Sequence, residues 1–175
     1  MENPKHLASL RDFSAQLAQR LTAAPAAAMQ AAHLGVRIGS RNYLVEITSI
    51  GEVVPGSSIA RVPWTRPWFR GLANVRGRLV GVYDLPLMAG GEPLRDEQGL
   101  QLLVLAESLK VNAALLITRA FGLRNAKELD AVQEEQRQDA APWEGARLRD
   151  AGGMTLTELK LAQLVADERF ASIAA

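Results

Sequence analysis

The chain has 175 residues, a formal net charge of +1, 48% hydrophobic and 22% charged residues, and no cysteine. These values fit one ordinary globular domain with a short appendage, large enough to bury a core without covalent staples. They exclude a disulfide framework, a thiolate metal site and a cysteine nucleophile, and they leave no global field drawing the protein to nucleic acid or membrane.

At the N-terminus, Met-Glu-Asn-Pro-Lys-His shows no apolar signal-peptide core, and Leu7, Leu10, Phe13, Leu17 and Leu21 then fall on one helix face. Pro4 suits the start of that helix, and Pro25 inside an alanine-rich run marks a break. Residues 1–30 are therefore expected to be a helical extension and linker, packed on the domain or available to a partner. A single domain is expected over 31–175.

The hydrophobic period then drops to two. Residues 34–38 and 43–47 alternate, and Gly39-Ser40-Arg41-Asn42 has hairpin length. Strand-like runs recur at 79–83, 100–106 and 111–117, the last two bracketing a second hairpin at Glu107-Ser108-Leu109-Lys110. Turn residues fill 55–58 and 89–93. Residues 127–139 are charged and read as a loop or short helix.

Thr155-Leu156-Thr157-Glu158 has the form of a capping box, and Leu159, Leu161, Leu164 and Val165 follow it. A short closing helix ending near Phe170 is predicted, and a strand reaching into Leu156 fits the same pattern. Short strands, glycine-rich turns and no alternating long helices indicate a mainly β sandwich or barrel. The most apolar runs, 102–106 and 113–117, are too short to span a bilayer, so no membrane insertion is expected and the cytoplasm is the expected location.

The inventory for catalysis is poor. His6 and His33 neighbour no nucleophile in sequence, no histidine pair has zinc spacing, no acidic loop has the calcium pattern, and no glycine-rich loop leads into Lys-Ser or Lys-Thr. No enzyme, metal or cofactor is expected. The informative stretch is 59–85, which carries Arg61, Arg66, Arg70, Arg76 and Arg78 with Trp64, Trp68 and Phe69, and has no acidic residue between Glu52 and Asp84. Three readings stand in order: aromatics plugging the core, an Arg/Trp protein interface, and a nucleic-acid grip by residues 61–78. Asp84, at a strand end, is expected to hold Arg76 or Arg78.

The order Gly71-Leu72-Ala73-Asn74-Val75-Arg76-Gly77, a β run, then Tyr83-Asp84-Leu85 resembles the signature of the CheW-like domain family. Upstream, Val36-Arg37-Ile38-Gly39, Tyr43-Leu44-Val45-Glu46-Ile47 and Ile50-Gly51-Glu52-Val53 are similar to that family's opening hairpin. The likeness covers residues 34–120 well and the rest loosely. The N-terminal helix and Pro67-Trp68-Phe69-Arg70-Gly71 resemble its PilI-type members, which serve the chemosensory system controlling type IV pili and twitching motility.

The resemblance implies a fold of two intertwined five-stranded SH3-like barrels and a scaffold role. Such a scaffold couples the signalling tip of a methyl-accepting chemoreceptor to a CheA-like histidine kinase, with no nucleic-acid partner. It places Ile50 and Glu52 near the inter-barrel groove that meets the receptor. It makes Arg76 the arginine that supports receptor and kinase coupling. Asn74, Gly77, Gly71, Asp84 and Leu85 match motif positions of structural character, and Arg76 itself stands open between interface and structural roles. Two departures mark the chain. Residues 64–68 are bulkier than the family stretch, and residues 147–157 do not follow the usual closing strands.

Overall fold

Alternating apolar residues between tight turns yield strands here, twelve of them among the described residues. The computed structural model describes residues 32–56, 58–95, 99–132 and 140–175. The helix expected over 1–30 lies outside the described residues.

β1 (Ala32–Ile38) and β2 (Arg41–Glu46) form the expected hairpin, turning at Gly39, whose φ is 60°. β3 (Ile50–Pro55), β4 (Ile59–Ala60), β5 (Phe69–Val75) and β6 (Arg78–Tyr83) follow, then one helical turn, α1 (Leu85–Met88). β7 (Gln101–Leu105) and β8 (Ala113–Ile117) form the second expected hairpin. Lys110 turns the corner between them with a left-handed backbone. β9 (Arg119–Asn125), β10 (Asp130–Ala131), β11 (Glu144–Arg149) and β12 (Thr155–Leu159) complete the strands, and α2 (Leu161–Ala166) and α3 (Glu168–Ala171) close the chain.

The strands hydrogen-bond into two six-stranded sheets, ordered β10-β11-β12-β2-β1-β9 and β3-β7-β8-β6-β5-β4. Each has five full strands and one two-residue strand at an edge, β10 or β4. The expected five-stranded barrels thus take the form of two six-stranded sheets, with no pairing that closes either sheet among the described residues. The second sheet is one continuous stretch of chain. The first is assembled from the two ends, by parallel pairing of β12 with β2 (Tyr43 opposite Thr157).

In the tail the strand alternative holds over the capping box, and one expectation changes. Thr155 to Glu158 is strand, because Leu156 and Leu159 bury their side chains and β12 has neighbours on both sides. That tertiary partner outweighs the local capping signal. Residues 147–157 also supply closing strands after all, since β11 and β12 pair antiparallel with Arg147 opposite Thr157. β11 was hard to see because its pattern is half-exposed and carries Arg147 and Arg149.

Burial follows the pairing. All five residues of β8 are buried, as expected for a strand paired on both edges and covered on both faces. The direct connection from β8 into β9 joins the sheets. Thr118 donates its amide to the Arg37 carbonyl at 2.8 Å, and its hydroxyl accepts from the Gly39 amide at 3.1 Å.

The closing segment docks through Tyr83, whose ring stacks on Phe170 at 4.1 Å and meets Phe69 edge-on at 5.3 Å. The Tyr83 hydroxyl donates to the Phe170 carbonyl at 3.2 Å, and burial pushes its phenol up. Asp167 caps α3 and takes Arg169 Nε and Nη2 at 2.9 and 3.0 Å, while the Arg169 guanidinium lies 4.7 Å from the Trp143 ring centre.

Asp84 is fully buried and holds three donors. Arg70 Nη1 approaches at 2.8 Å, the Leu94 amide at 2.9 Å, and the Leu87 amide at 3.2 Å as the N-cap of α1. Arg70 Nη1 also reaches the Leu94 carbonyl at 3.1 Å. The expected partners Arg76 and Arg78 are elsewhere, because both sit at the opposite end of the β5–β6 hairpin.

Asp84→Ala leaves Arg70 and two amides without their acceptor, so it should cost about 3–5 kcal/mol of stability, read from the urea midpoint. A loss under about 1 kcal/mol would show that water replaces the carboxylate. The Arg169 hydrogen bonds hold the Asp167 carboxyl below its usual range. A depressed carboxyl stabilises fully above its unfolded value of about 4 and loses that contribution as pH falls through the lower folded value. The stability gap between wild type and Asp167→Asn should therefore be largest near neutrality and shrink in acid. A gap that widens on acidification would contradict this.

Candidate protein-docking surface

One end of the second sheet gathers the three residues the sequence proposes for partner contact. Ile50 opens β3, half-buried against the core. The pairing of β3 with β7 shifts register between Ile50 and Glu52, leaving Gly51 as the extra residue of a bulge. A Cβ on Gly51 would lie 3.2 Å from the Leu105 carbonyl oxygen.

β5 and β6 are joined by the two residues Arg76 and Gly77, with φ of 50° and 85°. Positive φ at both positions is the hairpin turn that favours Asn-Gly, and Gly77 fits it without cost. Asn74 supports the turn by accepting the Gly77 amide at 2.8 Å. Arg76 is the exception, because a long side chain in this conformation costs about 1–2 kcal/mol. Its guanidinium points into solvent, 79% exposed, with Nε 2.8 Å from Glu52 Oε2. An exposed pair of this kind contributes about 0–1 kcal/mol and does not repay the strain. The turn thus keeps its strain at an exposed position.

The Glu52–Arg76 contact also describes the sheet. β3 is an edge strand and β5 lies four places away, about 19 Å in a flat sheet. The two ends meet only because the sheet curls strongly. Arg78 sits on the same end, donating to Glu107 at 2.6 Å and Asn112 at 3.2 Å. Leu79 adds an apolar residue, 61% exposed, that the sequence reading missed. The signal existed: Val80 and Val82 face inward, so alternation turns Leu79 outward.

The remaining motif residues are structural. Gly71 has a φ of 129°, and a Cβ there would collide with the Ala60 carbonyl of β4. Asp84 forms the buried clamp, and Leu85 is buried at the start of α1. A groove of about 790 Å³ between the sheets is lined by Arg41, Tyr43, Trp143, Glu144, Pro86 and Leu94, among others, and by none of Ile50, Glu52 and Arg76. Within it Glu144 accepts from Arg41 at 2.9 Å and from the Tyr43 hydroxyl at 3.2 Å, and burial with the Glu144 charge pushes the Tyr43 phenol up.

The aromatic stretch divides. Phe69 is core, Trp68 is half-buried and donates Nε1 to the Arg169 carbonyl at 3.2 Å, and Trp64 is 89% exposed. Core packing therefore accounts for Phe69, partly for Trp68, and not for Trp64. Trp143, which the sequence reading passed over, is the tryptophan at 1% exposure. Arg70, Arg76 and Arg78 each face a carboxylate, which weakens a nucleic-acid grip by this segment. Among the described residues, no group of three His, Cys, Asp or Glu side chains could hold a metal ion.

With this geometry in view, the comparisons are specific. A family model described as CheW-like domain matches residues 32–169. The chain is 32% identical over 112 residues to Protein PilI of Pseudomonas aeruginosa, covering 63% of this chain and 61% of that protein. It is 28% identical over 90 residues to Chemotaxis protein CheW of Thermotoga maritima, covering 51% of this chain and 58% of that one. The chain thus spans about three fifths of the length of these curated relatives. In fold it resembles the scaffolding protein TtCheW from Thermoanaerobacter tengcongensis, with a TM-score of 0.66 and 16% identity over 80% of this chain and 95% of that one.

Arg76→Asn exchanges a weak ion pair for a residue that tolerates the turn. Stability should stay level or rise by about 1 kcal/mol, measured by urea unfolding. A fall of more than about 2 kcal/mol would make Arg76 structural.

Proposed function

The chain belongs to the CheW-like domain family, and on that footing we propose that it is a non-catalytic adaptor coupling a methyl-accepting-type chemoreceptor to a CheA-like histidine kinase. Its setting is the chemosensory system that controls type IV pili and twitching motility, a reading supported by the similarity to Protein PilI. The observation that carries the proposal is Arg76. A guanidinium held out from a strained turn beside Glu52, at the end of the sheet where the half-buried Ile50 opens β3, suits contact with another protein and explains little about stability.

The adaptor acts by holding two proteins at once. Moderate contacts suffice, because linkage within an array raises the effective concentration of each partner for the next. It shifts the kinase between states only as far as its contacts differ between them. The curl that joins Glu52 to Arg76 supports SH3-like barrels as the form of the sheets, and the family match beginning at residue 32 supports a domain over 31–175 after an extension at 1–30. A cytoplasmic place, at arrays on the inner membrane face, follows from this role. No helix among the described residues is long and apolar enough to cross a membrane.

Arg76→Glu reverses the charge and repels Glu52 without touching the core. It should leave the circular dichroism spectrum unchanged and the stability read from the urea midpoint within about 1 kcal/mol of wild type. It should also weaken binding to a receptor signalling fragment or to the kinase by about tenfold or more, a change of about 1.4 kcal/mol, in isothermal titration. Unchanged affinity for both partners would remove Arg76 from the interface.

A further inference from the structure

An adaptor needs a second docking surface, and a strong candidate lies at the other end of β5. Arg70 and Arg76 are six residues apart on that strand and its turn, about 20 Å. Beyond the Arg70 end is a cavity of about 560 Å³ whose walls include Arg61, Arg66, Arg70 and Arg95, with Val62 and Pro93 as apolar surface. No carboxylate is among the described residues that line it. Arg70 is neutralised by Asp84. Arg61 and Arg66 are exposed, and Arg66 gives its Nε to the Ala174 carbonyl at 3.1 Å.

Trp64 stands in the same loop, 89% exposed, with a φ of 59°. A bulky residue in that conformation is an outlier, and the surrounding structure imposes it. The Ala175 amide donates to the Trp64 carbonyl at 3.0 Å, the Arg66 amide donates to the Ile173 carbonyl at 2.8 Å, and Thr65 bridges Ala174. The indole is thus presented on a fixed backbone, the arrangement in which tryptophan anchors an interface. Guanidinium groups beside it match carboxylates in geometry as well as charge.

We propose that Trp64 and the arginine-lined cavity form a second docking surface, which takes an acidic peptide segment of a partner protein carrying apolar side chains between its carboxylates. The proposal rests on the adaptor reading above and supplies its second contact. A single-stranded nucleic acid fits less well. It needs successive stacking platforms along a basic track, whereas Trp68 and Phe69 are turned into the protein here.

The test is a titration of the whole ¹⁵N-labelled chain with the capped peptide Asp-Glu-Leu-Leu-Glu-Asp and its Asn/Gln analogue, read by amide shifts and tryptophan emission. The acidic peptide should saturate shifts confined to 61–70 and 93–95, and its affinity should fall with added salt. The analogue should bind at least about tenfold more weakly. Arg61→Glu should weaken the acidic peptide by a similar factor. Trp64→Gly, which relieves the backbone rather than stressing it, should do the same, and Arg76→Glu should change nothing.

Equal binding of the analogue, shifts outside this surface, no saturation, or saturation by oligothymidylate but not by the peptide would overturn the proposal. The peptide titration needs neither receptor nor kinase, so the two readings fail separately. Loss of partner binding in Arg76→Glu with no peptide binding sinks only the second surface. Peptide binding by a chain that takes neither partner sinks only the adaptor.

Discussion

A single buried carboxylate organises the half of the molecule that carries both proposed surfaces. Asp84 joins β6 to the first turn of α1, fixes the Leu94 backbone and holds Arg70 of β5. Its desolvation is tolerable because one full charge and two amides surround it. The clamp also sorts the arginines of a segment that has no other acid. By taking Arg70 at one end of β5, it leaves Arg76 and Arg78 to the far end, where Glu52 and Glu107 meet them at the surface.

The surface groups differ in kind from those the clamp controls. Arg76 and Trp64 are two of the three described non-glycine residues with positive φ, and both are exposed. The third, Lys110, turns the β7–β8 corner. Trp64 and Arg76 cost conformational energy without gaining burial. Rigidity is useful for docking, since a side chain already held in place loses less entropy on binding.

The parts of the fold that were legible in sequence are those whose pairing partner is near in the chain. The β1–β2 and β7–β8 hairpins combine alternation with a turn of the right length. β9 and β11 were not legible and β12 was legible only as an alternative to a capping box, because β9 pairs with β1 and β12 with β2 from the other end of the chain, and β11 carries arginines on a half-exposed strand. Glu52 and Arg76 were singled out by resemblance, but not as a pair. Sequence distance favoured Asp84 as the partner, and only the curl of the sheet brings Glu52 across. Trp64, for which core packing stands first in the sequence reading, is exposed, and Trp143, which that reading does not single out, is buried, since residue type does not tell an exposed indole from a buried one.

The parallel pairing of β12 with β2 carries a consequence for how the molecule is made. The second sheet is one unbroken stretch of chain and can condense from local hairpins. The β1–β2 hairpin is synthesised before it and has both flanks bare until β9 and β12 arrive. Unpaired strand flanks are templates for association with another copy, and long-range pairings form slowly. Among the described hairpins, the earliest in the chain is therefore the last to be covered, and the segment most open to mispairing during assembly.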